Sequence, residues 1–144
     1  MAASAYLDAQ TNNNSDRNLR QYADLDLFFS KKNSDSDINK VTDVQAVKRS
    51  VRNLVLLNHY EKPFHPEIGS NLRGMLFELI TPQMTHLIGK QIELLIKNYE
   101  PRCRLVQVKN MPDLDRNGYM VSISFYVQNV PTPVIVESFL ERLR

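Results

Sequence analysis

Histidine, cysteine and carboxylate side chains are where chemistry would first declare itself, and in this chain they are scattered. His59, His65 and His86 lack metal-ligand spacing, and a single cysteine, Cys103, is available to join them. Ordinary surface or packed histidines are the better reading than a zinc site. Cys103 lies between Arg102 and Arg104, a setting that could lower its pKa and make it a reactive thiolate. No nucleophile signature surrounds it, however, and a small core residue is the commoner use of such a cysteine. Glu67, Glu78, Glu93 and Glu100 could supply the acid–base pair of a glycosidase, whose two carboxyl groups stand about 5–9.5 Å apart. A chain with 16 acidic residues will always nominate such a pair. Four glycines, none clustered, exclude a phosphate-binding loop. No catalytic residue, metal ligand or cofactor follows from these positions.

The local pattern with most mechanical content is Asn98-Tyr99-Glu100-Pro101-Arg102. Pro101 fixes a turn between oppositely charged neighbours. One reading is a helix stop beside a surface ion pair worth about 0–1 kcal/mol; since a lone exposed pair contributes little, reversing Arg102 is expected to leave folding nearly intact but to block partner docking. The other is a rigid polar knuckle that presents the Glu100 carboxylate and the Arg102 guanidinium fork to a partner.

Stepwise periodicity predicts the elements that would hold this knuckle. Residues 1–40 are polar and turn-rich, and read as an arm, partly flexible, pinned at Leu25, Leu27, Phe28 and Phe29. Residues 41–144 read as one domain. Order begins at Thr42, where Thr42-Asp43-Val44-Gln45 has capping-box spacing. Val44, Val47, Val51, Leu54 and Val55 then mark a helix ending near Asn58. Residues 61–71, with two prolines and a glycine, form a loop. Ser70 is placed to cap a short second helix with Leu72, Met75, Leu76, Leu79 and Ile80 on its apolar face. Thr81-Pro82 starts a third helix, about 27 Å long, whose stripe is Met84, Ile88, Ile92, Leu95, Ile96 and Tyr99; Pro101 ends it. Beyond Pro101 the period becomes two: a strand at Arg104–Lys109, a connection to Asn117-Gly118, and a half-buried strand at Tyr119–Val127. Residues 134–144 suit either a strand or a helix, and their β-branched start favours a strand. The fold class expected is α+β, three N-terminal helices followed by a small antiparallel sheet of about three strands.

Composition narrows the partners. A net charge of +2 from 18 basic and 16 acidic residues argues against a dedicated nucleic-acid binder. No apolar run reaches the ~18–20 residues that span a bilayer, and the N-terminus lacks a secretory signal. One cysteine makes no intrachain disulfide, so folding in a cytoplasm is the natural expectation.

Four segments resemble a known family. Residues 62–82, KPFHPEIGSNLRGMLFELITP, are similar to a run shared by the gene-25-like (lysozyme-like) baseplate wedge proteins of contractile tails, and NYEPR is similar to that family's EPR motif. YADLDLFFSK and VTDVQAVKRSVRNLVLL resemble its arm and first helix. The resemblance runs from about Tyr22 to Val127. It implies a structural, non-enzymatic component of a phage tail or of a related type VI secretion baseplate, assembled in the host cytoplasm and resident in the virion. The implied partners are the wedge proteins, whose core bundle it docks on, and tail sheath subunits. Sheath growth would start from it by strand exchange, a form of β-augmentation; nucleic acid, membrane and cofactors are not implied. It also implies docking through Glu100, Pro101 and Arg102, and that Phe64, Pro66, Glu67 and Gly69 set their loop against the core. The family's other label keeps a peptidoglycan-degrading enzyme as the alternative, which would need a cleft with two convergent carboxylates, one with a raised pKa. A host-side regulatory binding module is a third class; it would leave the EPR residues without a partner.

Overall fold

A computed structural model describes residues 22–28, 31, 37–128 and 130–143. They fall into two compact units divided between Ala46 and Val47.

The first unit corrects the expected order of elements. A two-stranded antiparallel ladder, β1 (Ala23–Leu25) with β2 (Lys40–Thr42), precedes every helix, so the chain is not three helices followed by a sheet. Ala23 pairs with Thr42, Asp24 with Val41 and Leu25 with Lys40. Thr42 therefore belongs to a strand and does not cap the helix. Asp43 turns the corner instead, at φ 50, a left-handed conformation that aspartate tolerates better than most residues. Its N–H donates to the Tyr22 carbonyl at 2.8 Å, and its Oδ1 accepts from the Tyr22 N–H at 3.4 Å. Of the expected apolar pin, the described residues Leu25, Leu27 and Phe28 are exposed. Phe29 and residues 1–21 lie outside the described residues. What anchors this stretch is polar: buried Asp26 accepts the Phe28 N–H at 3.1 Å, an Asx-type turn.

Helix α1 (Asp43–Leu56) carries Val47, Val51, Leu54 and Val55 on its buried stripe. Helix α2 is a single turn, Leu72–Met75, and Asn71, not Ser70, stands at its N-cap, without a side-chain cap. Ser70 is used elsewhere: its hydroxyl donates to the carbonyls of Val55 at 3.1 Å and Leu57 at 3.2 Å. Leu79, expected on an apolar helix face, is exposed. Helix α3 (Pro82–Tyr99) is the spine, with Ile88, Ile92, Leu95 and Ile96 buried. The Thr81 hydroxyl accepts the Met84 N–H at 3.2 Å, and proline occupies the first turn, where no N–H is needed. Thr81→Ala should cost about 1 kcal/mol, a fall in Tm of roughly 3–4 °C for a chain of this size, while Thr81→Asn should be near neutral. Thermal melts of both variants test this directly.

The sheet of the second unit has the order β3-β4-β5, all antiparallel. β3 (Cys103–Asp113) runs further than its apolar pattern suggested, because Met111 and Pro112 continue the ladder opposite Met120 and Tyr119. The register slips between Leu105 and Gln107, which leaves Val106 as a bulge. β4 (Gly118–Val127) is the central strand, and Tyr119, Val121, Ile123, Phe125 and Val127 alternate inward, all buried. The ambiguous last segment is a strand, β5 (Val134–Glu141), with Val134, Val136 and Leu140 on the core side. Helix α3 packs on β3, which brings the C-terminal end of the spine to the start of the sheet.

Candidate functional site

The junction between α3 and β3 is the turn Glu100-Pro101-Arg102. The Glu100 N–H still donates to the Ile96 carbonyl at 2.9 Å, and the helix stops there. The Glu100 side chain is 3% exposed, so the expected surface pair is not on the surface. Its Oε1 accepts from Arg102 Nε at 2.7 Å and its Oε2 from Arg102 Nη2 at 2.8 Å, a bidentate fork. Oε2 also accepts from the Ser50 hydroxyl of α1. Burial alone would raise the Glu100 pKa, but the Arg102 and Ser50 hydrogen bonds and the guanidinium charge outweigh it. The carboxyl is held below its usual value.

The knuckle therefore does not present a carboxylate. Glu100 works underneath, fixing an arginine whose side chain is 25% exposed, while Pro101 is the exposed apex. Gln128, at the end of β4, stitches the turn from the far side. Its side-chain N–H donates to the Pro101 carbonyl at 3.3 Å, and its backbone N–H to the Arg102 carbonyl at 3.2 Å. Ser50 and Gln128 are partners that local sequence does not announce. Ser50 carries the one available hint, a hydroxyl set on the same helical face as Val47, Val51 and Leu54.

Beside the turn a groove of about 720 Å³ opens between α3 and β3. Leu94, Lys97, Pro101, Arg104 and Leu105 line it, along with Lys90 and Glu93. A second hollow of about 490 Å³ shares Lys90 and Glu93 and continues past Gly89, Lys109 and Met111. Gly89 lets Asn110 approach, since a Cβ there would stand 2.9 Å from Asn110 Nδ2, which donates to the Thr85 carbonyl at 3.1 Å. The seam has exposed apolar surface at Leu94 and Met111 within a rim richer in cations than anions.

The other chemical candidates stay apart. Among the described residues no group of three or more His, Cys, Asp or Glu side chains could hold a metal ion, and no helix is long and apolar enough to cross a membrane. His65 pairs with Glu67 at 3.1 Å in an exposed position, and His59 meets Tyr60 edge to face. Cys103 reverses the expectation from its arginine neighbours. Burial and the Glu100 charge push its thiol up to about 11 against the weaker pull of Arg102, and it donates to the Glu100 carbonyl at 3.4 Å.

The loop after α1 is also partly corrected. Gly69 is buried against Asn58, but Phe64 is 97% exposed and Pro66 and Glu67 are exposed, so these three side chains do not set the loop on the core. Backbone bonds hold it: the Tyr60 N–H donates to the Pro66 carbonyl at 3.0 Å and the Tyr99 hydroxyl to the Glu67 carbonyl at 2.9 Å.

The model of the family described as baseplate wedge protein gp25 matches residues 41–132, well over half of the chain. This chain belongs to the gp25 family. It is 29% identical over 113 residues to the baseplate wedge protein gp25 of Enterobacteria phage T4, covering 78% of this chain and 85% of that one. Its fold is similar to a chain of the anti-feeding prophage baseplate, with a TM-score of 0.67 and 24% identity over 76% of this chain and 88% of that chain. It is also similar to a Geobacter sulfurreducens protein provisionally described as a tail lysozyme, with a TM-score of 0.63 and 18% identity over 68% and 89% of the two chains. These last two likenesses speak to the fold.

Proposed function

We propose that this gp25-family protein is a structural subunit of a contractile-tail baseplate, resident in the virion, that docks on the wedge core and starts sheath polymerisation. The match across residues 41–132, together with the T4 relative, carries the baseplate reading. Docking is supported by the Glu100-Pro101-Arg102 turn. A buried carboxylate holds the partly exposed Arg102 side chain, and the exposed Pro101 of the same turn lines the groove between α3 and β3. A turn held rigid in advance docks on a partner with less loss of side-chain freedom. Sheath initiation is supported by a three-stranded sheet with two edge strands, the requirement for growth by strand addition.

Two of the four candidate carboxylates speak against peptidoglycan hydrolysis. A glycosidase acid needs a raised pKa. Glu67 and Glu100 are both shifted down, Glu67 by its own backbone N–H and by His65.

The test is assembly. Particles made without this chain should lack sheathed tails, and the wild-type chain should restore them. Leu94→Asp combined with Lys97→Glu changes only exposed groove residues, so it should keep the melting temperature yet fail to co-purify with wedge proteins. Normal co-purification would remove the groove and its turn from the docking reading, and peptidoglycan turnover by the purified chain would favour the enzyme.

A further inference from the structure

Tyr60 and Phe64 are held at φ 69 and φ 67, in the left-handed region that bulky side chains rarely adopt. Asp43 and Asn117, the other non-glycine residues at positive φ among those described, are of types that tolerate it. Asparagine or glycine would relieve the strain at positions 60 and 64. Little burial would be lost, because Tyr60 is 86% and Phe64 97% exposed. Neither ring serves the core. We propose that the loop from Asn58 to Gly69 is a docking element in addition to the Glu100-Pro101-Arg102 turn, and that it seats the Tyr60 and Phe64 rings on an apolar, carboxylate-rimmed surface of a neighbouring baseplate protein. This rests on the baseplate reading above and adds a second surface to it.

The loop is built to hold the strain. Besides the Tyr60–Pro66 bond that closes it, the His65 N–H donates to the Lys62 carbonyl at 3.4 Å and the Ile68 N–H to the His65 carbonyl at 3.1 Å. At its base the backbone and side-chain N–H groups of Asn58 both donate to the Glu61 carboxylate, at 2.8 and 2.9 Å. Strained residues persist only where their surroundings over-determine them, and they gather at functional positions. Aromatic side chains fixed in advance are effective interface anchors, since little freedom is left to lose on binding.

Charge says what kind of surface fits. Both loop carboxylates are engaged within the loop, Glu61 by Asn58 and Glu67 by His65 at 3.1 Å. Among the described residues neither Lys62 nor Arg73 has an ion pair. Lys62 lies between the two aromatics in sequence, and Arg73 shares a hollow of about 590 Å³ with Tyr60 and Phe77. The loop thus offers apolar rings beside unpaired cations, which complement apolar residues bordered by Asp or Glu. An anionic lipid surface fits less well, because such surfaces recruit clusters of about 4–8 cations.

Replacing both aromatics separates docking from folding. The full-length chain carrying Tyr60→Asn with Phe64→Asn should melt at or above the wild-type temperature, yet its content in purified baseplates, read by blotting, should fall about tenfold or more. Lys62→Glu should lower incorporation without moving the melt. With p-benzoylphenylalanine in place of Phe64, irradiated baseplates should yield a crosslink to another protein at a segment of apolar residues flanked by Asp or Glu. A melting temperature several degrees lower for the asparagine pair would make the rings part of the fold and overturn the docking role. Full incorporation of that pair, a crosslink to a basic segment, or none, would overturn it as well. Binding of the wild-type chain, but not the asparagine pair, to vesicles of phosphatidylglycerol and phosphatidylethanolamine would assign the rings to lipid instead. Absence of the wild-type chain from purified baseplates is a separate outcome, which would overturn the baseplate reading and this inference with it.

Discussion

Replacing Arg102 by alanine is expected to lower stability by about 3 kcal/mol, the low end for breaking a buried ion pair, because the guanidinium keeps some solvent contact. This reverses what the sequence suggested, that Arg102 could change sign with folding intact. Glu100 is 3% exposed and relies on Arg102 for two hydrogen bonds, so the alanine variant strands a buried carboxylate and the glutamate variant adds a second one beside it. Pairing Arg102→Met with Glu100→Gln should recover most of the loss, since it removes the charge left behind. The pH dependence has a defined sign. The folded pKa of Glu100 lies below its ordinary 4.5. Its contribution is therefore complete above about pH 4.5 and is lost as pH falls through the folded value, where the unfolded chain binds more protons. Glu100→Gln should flatten that acid limb. A Tm for Arg102→Ala within a degree of wild type, or an unchanged acid limb in Glu100→Gln, would show the fork to be idle.

Gly69→Ala should be comparably damaging, by about 3 kcal/mol from backbone strain and overpacking together. Gly69 has φ +144, where a side chain is strained in any surroundings. A Cβ would also stand 2.6 Å from both the carbonyl carbon and oxygen of Asn58, and 2.9 Å from the His59 nitrogen. All three are backbone atoms and cannot rotate aside. The contact closes the loop where Asn58 bridges Ser70 and the Ser70 N–H donates to the Leu57 carbonyl at 2.8 Å. Chemical denaturation of Gly69→Ala, with Gly74→Ala as a helical control whose new Cβ would meet only the Asn71 side chain, measures the difference. Equal midpoints would mean that the loop yields and the close approach is not structural.

What the sequence made legible were features written in neighbouring residues. The bounds of α3 follow from Thr81-Pro82 and Pro101, and β4 from five alternating apolar residues. What escaped were arrangements made by distant residues. β1 and β2 are three residues each, too short to show a period, and pair across an intervening stretch of 14 residues, from Asp26 to Asn39. Ser70 looked like a cap because local spacing allowed it, but the carbonyls at the end of α1 claimed its hydroxyl. The EPR turn was found by its residue types and misjudged in its burial. Glu-Pro-Arg reads the same whether or not a serine 50 positions away closes over it.

The thiol of Cys103 gives the chain a practical property of another kind, chemical silence. With a pKa of about 11, about one molecule in ten thousand carries the thiolate at pH 7, against about one in a hundred at the ordinary value of 9.0. Thiol-directed dyes react through that anion. A cysteine placed at Phe64, 97% exposed, would take a fluorophore or spin label roughly a hundred times faster than the native sulfur on thiolate population alone. The natural chain thus serves as its own unlabelled background, so a probe can report on assembly without first removing a residue that abuts the Glu100–Arg102 fork.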